Sequence, residues 1–257
     1  MPTILIAGAS AGVGLAFLEG YGADAANRIF TCDKDELPTR CSNLISKPEH
    51  YMLDVTSISS ISGFATQISG VAIDLVIYSV GVRGLVDDLH TSVAGSAQEA
   101  ETLDVMDAAT MMNTFQINTI GALMFLRSLL PNLRLGTSKR HQVVDKNQKQ
   151  RHSKVMVMSS RMGSLTLNSA ARGGSAYAYR ASKAALNTIV RSLAVDVPDV
   201  VWVLVHPGRV ESRLVRYKEE GAISGDESVR GLMPLVDKWD VEDSGMFYDR
   251  FGERIEW

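Results

Sequence analysis

Short apolar runs rich in β-branched residues alternate with longer, helix-like segments along most of the chain. The runs that predict strands are Thr3–Ala7, Arg28–Cys32, His50–Leu53, Ile73–Val80, Val155–Met158 and Val200–Val205. The segments that predict helices are Leu15–Ala23, Ile58–Ile68, Ala176–Ala194 and one or two helices over Val105–Leu130. Such alternation implies βαβ units and a parallel sheet. It continues without a linker or repeat, so residues 1–257 are predicted to form one α/β domain, a doubly wound parallel sheet flanked by helices.

Two stretches interrupt this alternation. Thr137–Lys154 is polar and non-periodic, and carries six Lys and Arg residues against one acidic residue, Asp145. It is predicted to be a basic surface insertion, with an anionic partner site as the alternative. Gly208–Gly231 follows the last predicted strand and combines mixed charge with several glycines. Because α/β proteins build substrate lids beyond the carboxyl ends of their strands, this stretch is predicted to be a substrate loop.

Composition and charge limit the classes of function. The 257 residues carry a net charge of −3, which argues against a nucleic-acid partner. The longest apolar stretches are broken by charges such as Asp74 and Arg127, so none reaches the roughly 18 residues of a membrane span. The residues before the glycines at the N-terminus lack the basic start of a signal peptide. Cys32 and Cys41 can form neither a disulfide framework nor a four-ligand zinc site. We therefore expect no metal, no membrane contact and a reducing, cytoplasmic location.

A glycine-rich turn lies directly between the first predicted strand and the first predicted helix. Its glycines, Gly8, Gly12 and Gly14, have GxxxGxG spacing. A turn without Cβ atoms lets the backbone approach a pyrophosphate, whose charge then meets the free N–H groups of the helix N-terminus. Any tight turn can use glycine, so the placement of the motif carries the prediction of a dinucleotide site. The candidate contacts are Gly8, Ser10, Ala11, Gly12, Val13 and Gly14.

A second signal is the pair Tyr179 and Lys183, which lies early in a predicted helix. Residues at i and i+4 share one helix face, so the phenol and the ammonium point the same way. Proton transfer near pH 7 requires a tyrosine pKa about three units below its ordinary value of ~10, which is about 4 kcal/mol. A cation ~4 Å away at an effective dielectric constant of ~20 supplies about that much. Tyr177 has Ala181 at i+4 and therefore lacks such a partner.

These motifs, in this order, resemble the short-chain dehydrogenase/reductase family over nearly the whole chain. The resemblance implies a single-domain Rossmann fold that transfers hydride between NAD(P) and a carbonyl or alcohol. Tyr179 would then be the general acid/base, and Lys183 would lower its pKa and hold the nicotinamide ribose. Ser160, rather than Ser159, would hydrogen-bond the reacting oxygen. Asn118 matches the family's helix asparagine, which holds a water in the proton relay.

Further positions match the family's cofactor contacts. The resemblance assigns the adenine and nicotinamide contacts to Asp54, Val55, Gly81, Pro207, Gly208, Val210 and Ser212. Ala7 and Val13 replace the usual threonine and isoleucine of the glycine motif, and Ser79 replaces a common asparagine. The C-terminal Ser244–Phe247 and Phe251–Trp257 segments resemble the C-factor and sniffer-like carbonyl reductase branch.

The form of the cofactor depends on the end of the second strand. NADP needs a cation for its 2′-phosphate, whereas NAD favours a carboxylate at its free 2′-hydroxyl. Asp33 stands where the resembling branch often has arginine, and Ala11 replaces a residue that is often basic in NADP-preferring members. Lys34 could compensate, and Cys32 is an alternative for the aligned position. The sequence favours NAD(H) over NADP(H).

The sequence says little about the identity of the substrate. Arg161 and Arg209 stand where the family more often has apolar or small residues. One of them could bind an acidic or phenolic group of the substrate, although a structural ion pair is the simpler explanation. Two other functions remain open: a catalytically silent nucleotide-sensing or scaffold protein of the same fold, and a methyltransferase, which would not explain the tyrosine–lysine pair.

The resemblance also implies a homodimer or homotetramer, assembled through the helices predicted over Val105–Leu130 and Ala176–Ala194. The apolar stretch Ala122–Leu126 within the first of them is equally explained as core.

Overall fold

The computed structural model describes residues 1–86, 89, 98–142, 152–169, 174–215 and 220–257. Its centre is a sheet of seven parallel strands in the order β3-β2-β1-β4-β5-β6-β7. The strands are β1 (Thr3–Ala7), β2 (Arg28–Asp33), β3 (Glu49–Met52), β4 (Leu75–Tyr78), β5 (Ser153–Met158), β6 (Val200–His206) and β7 (Met246–Asp249). The predicted α/β class with a parallel sheet is therefore confirmed.

Helices cover both faces of this sheet. They are α1 (Gly12–Gly22), α2 (Ile58–Gln67), α3 (Ala108–Phe115), α4 (Ala122–Ser128), α5 (Leu130–Gln142), α6 (Tyr177–Asp196) and α7 (Gly225–Lys238). A π-helical turn, Gln116–Gly121, joins α3 to α4, and short 3₁₀ turns occupy Thr39–Asn43, Glu99–Glu101, Arg161–Gly163 and Val241–Asp243. Among the described residues, no helix has the length and apolarity to cross a bilayer.

The strand residues divide between two cores, one on each face of the sheet. Leu5 of β1 packs with Phe64 of α2 and Phe125 of α4 in one core, whereas Ile4 and Phe17 belong to the other. Successive side chains of a strand point to opposite faces, so a strand that is buried on both faces reads as a continuous apolar run. This is why the sequence pattern located β1, β4, β5 and β6 closely. Ala122, Phe125 and Leu126 are fully buried, so this apolar stretch is core.

The segment predicted as a basic loop over 137–154 is largely regular structure. Helix α5 continues to Gln142, and β5 already begins at Ser153. Thr137 is buried and its hydroxyl accepts the Ser153 N–H at 3.0 Å, while Lys154 donates to the carbonyl of Val236 in α7. Residues 143–151 lie outside the described part of the chain. The prediction of one continuous surface loop was therefore wrong at both ends.

The predicted substrate loop over 208–231 is also shorter than expected. Ser224 caps α7, accepting the Glu227 N–H at 3.1 Å, so residues 225–231 are helical. The sequence analysis did not identify α7, which contains Pro234 within the helix, or the short edge strand β7. The remaining described part, 208–215 and 220–224, lies beyond the carboxyl end of β6.

Candidate active site

The strand order places a large cleft at the carboxyl ends of the strands. Because β1 is flanked by β2 on one side and β4 on the other, the chain winds in opposite directions from β1. Open α/β sheets bind ligands in the crevice at such a switch point. The cleft has a volume of about 1630 Å³. Its lining includes, among the predicted site residues, Gly8, Ser10, Ala11, Gly12, Val13, Asp33, Asp54, Val55, Gly81, Ser160, Arg161, Tyr179, Lys183, Pro207, Gly208, Arg209, Val210 and Ser212.

The glycine turn has no room for a side chain at its glycine positions. Gly8 has φ of +81°, and a Cβ atom there would lie 2.9 Å from the carbonyl carbon of Ser79. Gly14 does not line the cleft; a Cβ atom on it would lie 2.0 Å from the carbonyl oxygen of Gly8. Its role in this structure is to let the first turn of α1 pack on the loop. A Cβ on Gly12 would meet Ser212 at 3.1 Å, so the two predicted cofactor segments are neighbours.

The start of α1 fits a phosphate group. The residue that precedes the helix, Ala11, offers no side-chain acceptor to the first N–H groups. These groups lack partners within the helix, carry the positive end of its dipole and form part of the cleft wall at Gly12 and Val13. An open glycine turn with uncapped N–H groups suits the pyrophosphate of a dinucleotide.

The end of β2 presents acidic side chains to the same cleft. The Asp33 carboxylate accepts the Ser10 N–H at 2.9 Å, which ties it to the glycine turn. Cys32 is fully buried and absent from the lining, so the residue that faces the cleft is Asp33. Asp35 pairs with Arg213 of the segment after β6 at 3.0 Å. On the adjoining wall, hydrogen bonds from Thr56 lower the pKa of Asp54.

Tyr179 and Lys183 project from the first turns of α6 onto the opposite wall, and both are buried. The Lys183 ammonium nitrogen lies 5.8 Å from the centre of the Tyr179 ring and donates to the carbonyl of Met158 at 2.9 Å. Burial lowers the pKa of Lys183 to about 8. The ammonium is therefore predominantly charged at neutral pH, close to the phenol it was predicted to acidify.

The two serines after β5 have different surroundings. The Ser159 hydroxyl donates to the side-chain oxygen of Asn187 at 2.5 Å and so holds β5 against α6. The Ser160 hydroxyl accepts the Met162 N–H at 3.2 Å and begins the 3₁₀ turn. A hydroxyl that accepts one hydrogen bond can still donate its own proton to a ligand. This geometry favours Ser160 as the serine that contacts a reacting oxygen.

Asn118 lies behind the cleft wall rather than on it. It belongs to the π-helical turn, is fully buried and exchanges two hydrogen bonds with the backbone of Val82, at 2.8 and 2.9 Å. Its amide also donates to the Ser182 hydroxyl at 3.0 Å. A Cβ on Gly81 would lie 3.1 Å from the Asn118 oxygen and 3.4 Å from the Lys183 nitrogen. The side chain thus joins the segment after β4 to α6, and the water-holding role stays a prediction.

Sequence reasoning missed an arginine–glutamate pair beside Tyr179. Arg83 binds both carboxylate oxygens of Glu101, at 2.7 and 2.9 Å, and the Glu101 side chain is only 3% exposed. The Arg83 guanidinium carbon lies 5.0 Å from the centre of the Tyr179 ring. Arg180, next to Tyr179, also lines the cleft, and its pKa is lowered by burial and by the charge of Arg83.

Arg161 and Arg209 line a common region of the site. Both line the main cleft and a smaller pocket that adjoins it. Neither forms an ion pair with another described residue; Arg209 donates to the carbonyl of Glu220 at 2.9 Å. The predicted structural ion pair is therefore absent from the part of the chain that the structure describes.

The doubly wound sheet, the glycine turn at its switch point and the tyrosine–lysine pair on the facing wall define a Rossmann-type oxidoreductase that uses a nicotinamide cofactor. The chain belongs to the short-chain dehydrogenase family, whose model, described as "short chain dehydrogenase", matches residues 2–222.

Individual relatives agree with this assignment. The chain is 35% identical to the C-signal protein of Myxococcus xanthus over 196 residues, which is 76% of this chain and 98% of that protein. Its fold is similar to that of the NADPH-bound carbonyl reductase from chicken fatty liver, with a TM-score of 0.80 and 24% identity over 100% of this chain and 99% of that chain. It is also similar to the carbonyl reductase Sniffer of D. melanogaster, with a TM-score of 0.81 and 22% identity over both full chains. The expected resemblance to the C-factor and sniffer-like carbonyl reductase branch is confirmed.

Proposed function

We propose that this protein interconverts a carbonyl compound and a secondary alcohol, with Tyr179 as the general acid/base. The observation that carries the proposal is the buried Lys183 ammonium, which lies 5.8 Å from the Tyr179 ring on the wall of the cleft that the glycine turn forms. Nicotinamide, when bound in this cleft, supplies or accepts the hydride. The residues of the chain hold the reacting oxygen and move its proton.

Tyr179 donates its proton to the carbonyl oxygen during reduction and takes it back during oxidation. The phenolate form must be accessible near neutral pH, and a nearby buried cation stabilises it. Lys183 meets this need because its backbone partner, the Met158 carbonyl, is neutral and leaves its charge uncompensated. Ser160 donates to the same reacting oxygen, and Asn118 completes the proton relay through a water.

We infer that NAD(H) is the preferred form of the cofactor. Asp33 supports this preference, because its carboxylate is fixed against Ser10 at the end of β2 and would repel a 2′-phosphate. Asp35 pairs with the nearby Arg213 and so reduces its attraction for a 2′-phosphate, although Lys34, another cation, also lines this end of the cleft. The chicken carbonyl reductase, which holds NADPH, represents the competing outcome.

We also infer a cytoplasmic homodimer or homotetramer. The two cysteines are both buried and unpaired, in keeping with a reducing location. The predicted helical interface is supported by exposed apolar side chains, Met112 on α3, Ile120 in the π-helical turn and Val195 near the end of α6. Analytical ultracentrifugation would decide between these assemblies and a monomer.

The test of the proposed reaction is a screen of aldehydes and ketones with NADH and with NADPH, read by the absorbance of the reduced nicotinamide. Tyr179→Phe should bind the cofactor as the wild type does and lose turnover, whereas Tyr177→Phe should retain both, because Tyr177 lacks a lysine partner. A nucleotide-sensing or scaffold protein would bind cofactor and turn over no substrate in the wild type. Full activity in Tyr179→Phe would refute the assigned role of the phenol.

A further inference from the structure

A small basic pocket adjoins the proposed active site and shares part of its lining. It has a volume of about 290 Å³, and its lining residues come from the ends of β5, β6 and β7 and from the segment around Ile223. The walls include three arginines, Arg161, Arg209 and Arg250. Three guanidinium groups that reach one pocket from separate segments are a recognised arrangement for binding an oxyanion.

The backbone around this pocket is firmly fixed. Arg209 and Ile223 pair their main chains, with the Ile223 N–H donating to the Arg209 carbonyl at 2.8 Å. Gly208 has φ of +95°, and a Cβ atom there would meet the Arg250 side chain at 3.4 Å. These contacts fix the backbone that carries Arg209 and place the Arg250 side chain beside Gly208.

Two acidic residues, Glu220 and Asp249, also line the pocket, against the three arginines. Two backbone N–H groups bind the Asp249 carboxylate, at 2.8 and 3.0 Å, and Glu227 pairs with Arg250 at 3.1 Å. Arg161 and Arg209 form no ion pair with a described carboxylate, so their guanidinium groups can bind an added oxyanion.

His206 adds an independent sign that a ligand belongs here. Its Nδ1 atom is buried and has no hydrogen-bond partner among the described residues. A buried polar atom without a partner destabilises a fold, so such atoms are found where a ligand or water completes the hydrogen bonding. Burial first, and then the charge of Arg161, lower the pKa of His206 to about 4, so the imidazole is neutral at pH 7.

We propose that this pocket, formed by Arg161, Arg209, Arg250 and His206, binds an anionic group of the substrate, a carboxylate or a phosphate. The inference rests on the proposed carbonyl–alcohol reaction and names the class of its substrate. The substrate is then an oxo or hydroxy compound that carries an oxyanion besides its reacting carbon.

Two features favour part of the substrate over a separate effector. The pocket shares Arg161, His206, Gly208 and Arg209 with the main cleft, and Arg161 directly follows Ser160, which is assigned to the reacting oxygen. The pocket volume is also at the lower end of the range of about 300–1,000 Å³ for ligand sites, which suits one functional group rather than a whole ligand.

The experiment compares matched charged and neutral substrates. Oxo carboxylic acids of increasing chain length are paired with their methyl esters, and oxo phosphate monoesters with the corresponding alcohols. The wild type should favour the charged member of at least one pair by tenfold or more in kcat/KM. Arg161→Gln and Arg209→Gln should each remove about tenfold of that preference, mainly through KM, and Arg161→Lys should retain part of it. Arg134→Gln is the matched control. Arg134 lies on α5 and pairs with Asp199, at the amino end of β6, so its substitution should leave the preference unchanged.

A binding measurement separates this inference from the proposed reaction. Calorimetry with Tyr179→Phe and saturating cofactor should show the acid binding at least tenfold more tightly than its ester, and the added Arg161→Gln change should abolish the difference. Equal binding of acids and esters, or a preference that survives Arg161→Gln with Arg209→Gln, would overturn the anion pocket while leaving the proposed reaction intact. Failure of every carbonyl compound to react, with selective acid binding retained, would instead overturn the reaction.

Discussion

The guanidinium group of Arg83 lies against the ring of Tyr179, with its central carbon 5.0 Å from the ring centre. Glu101 fixes this guanidinium through two hydrogen bonds, and the Glu101 side chain is almost completely buried. Together with Lys183, Arg83 places a second cation beside the same phenol. Two positive groups from different parts of the chain thus lie 5.0 and 5.8 Å from the ring centre of the proposed acid/base.

Removal of the Arg83 charge should raise the pKa of Tyr179. A nearby cation stabilises the phenolate more than the neutral phenol, and Glu101 compensates part of the Arg83 charge. The apparent pKa of alcohol oxidation, which needs the phenolate, should therefore rise by about one unit or less in Arg83→Met. The pH profile of kcat/KM measures this shift. Arg83→Met/Glu101→Leu avoids an unpaired buried carboxylate and should show the same direction, while Arg83→Lys should lie closer to the wild type. An unchanged profile in both charge-removing variants would contradict an electrostatic role.

Asp33 should control which nicotinamide cofactor is used. Asp33→Ser removes the carboxylate at the end of β2 and should raise KM for NADH while lowering KM for NADPH, because repulsion of a 2′-phosphate is relieved. The expected change in the ratio of kcat/KM for the two cofactors is about tenfold or more, which is the effect of one charged contact. Asp196→Ser is the control, since Asp196 is an exposed aspartate at the end of α6 that does not line the cleft. A wild type that prefers NADPH would refute the assignment.

His206 should make the fold sensitive to acid. Its pKa is about 4 in the folded protein and about 6.5 when unfolded, so the unfolded chain binds more protons between these two values. Stability is therefore lost as pH falls from about 6.5 to 4, by roughly 2–3 kcal/mol for this group. His206→Gln should lose less stability over that range in urea unfolding. Parallel slopes for wild type and variant would show that the buried imidazole is not responsible.

Substitution by alanine should have opposite effects on stability at two helical glycines, Gly14 and Gly63. Gly14→Ala forces a Cβ against the Gly8 carbonyl, so the glycine turn must move, and we expect loss of cofactor binding with a large loss of stability. Gly63 lies within α2, where a Cβ would have nothing within 4 Å. Gly63→Ala should stabilise the protein by about 0.5–1 kcal/mol because alanine favours helix. Thermal unfolding and titration with NADH measure both effects, and equal responses would contradict this reading of the turn.

Several parts of this protein are determined by the sequence alone. Strands β1, β4, β5 and β6 are continuous apolar runs, because both of their faces are buried. The glycine turn and the Tyr179–Lys183 pair are local motifs whose geometry depends on a few neighbouring residues. Such features are readable because backbone periodicity and steric rules act over short separations along the chain.

Other parts are decided only by the tertiary structure. Arg83, from the segment after β4, lies against Tyr179 of α6. Arg161, Arg209 and Arg250 follow three different strands and line one pocket. In a parallel sheet all the carboxyl ends lie at one edge, so residues far apart in sequence become neighbours there. The same packing shows that Asp33 rather than Cys32 faces the cleft, and that the Ser159 hydroxyl is bonded to Asn187 of α6. No local pattern encodes these contacts, since their partners are chosen by the order and register of the strands.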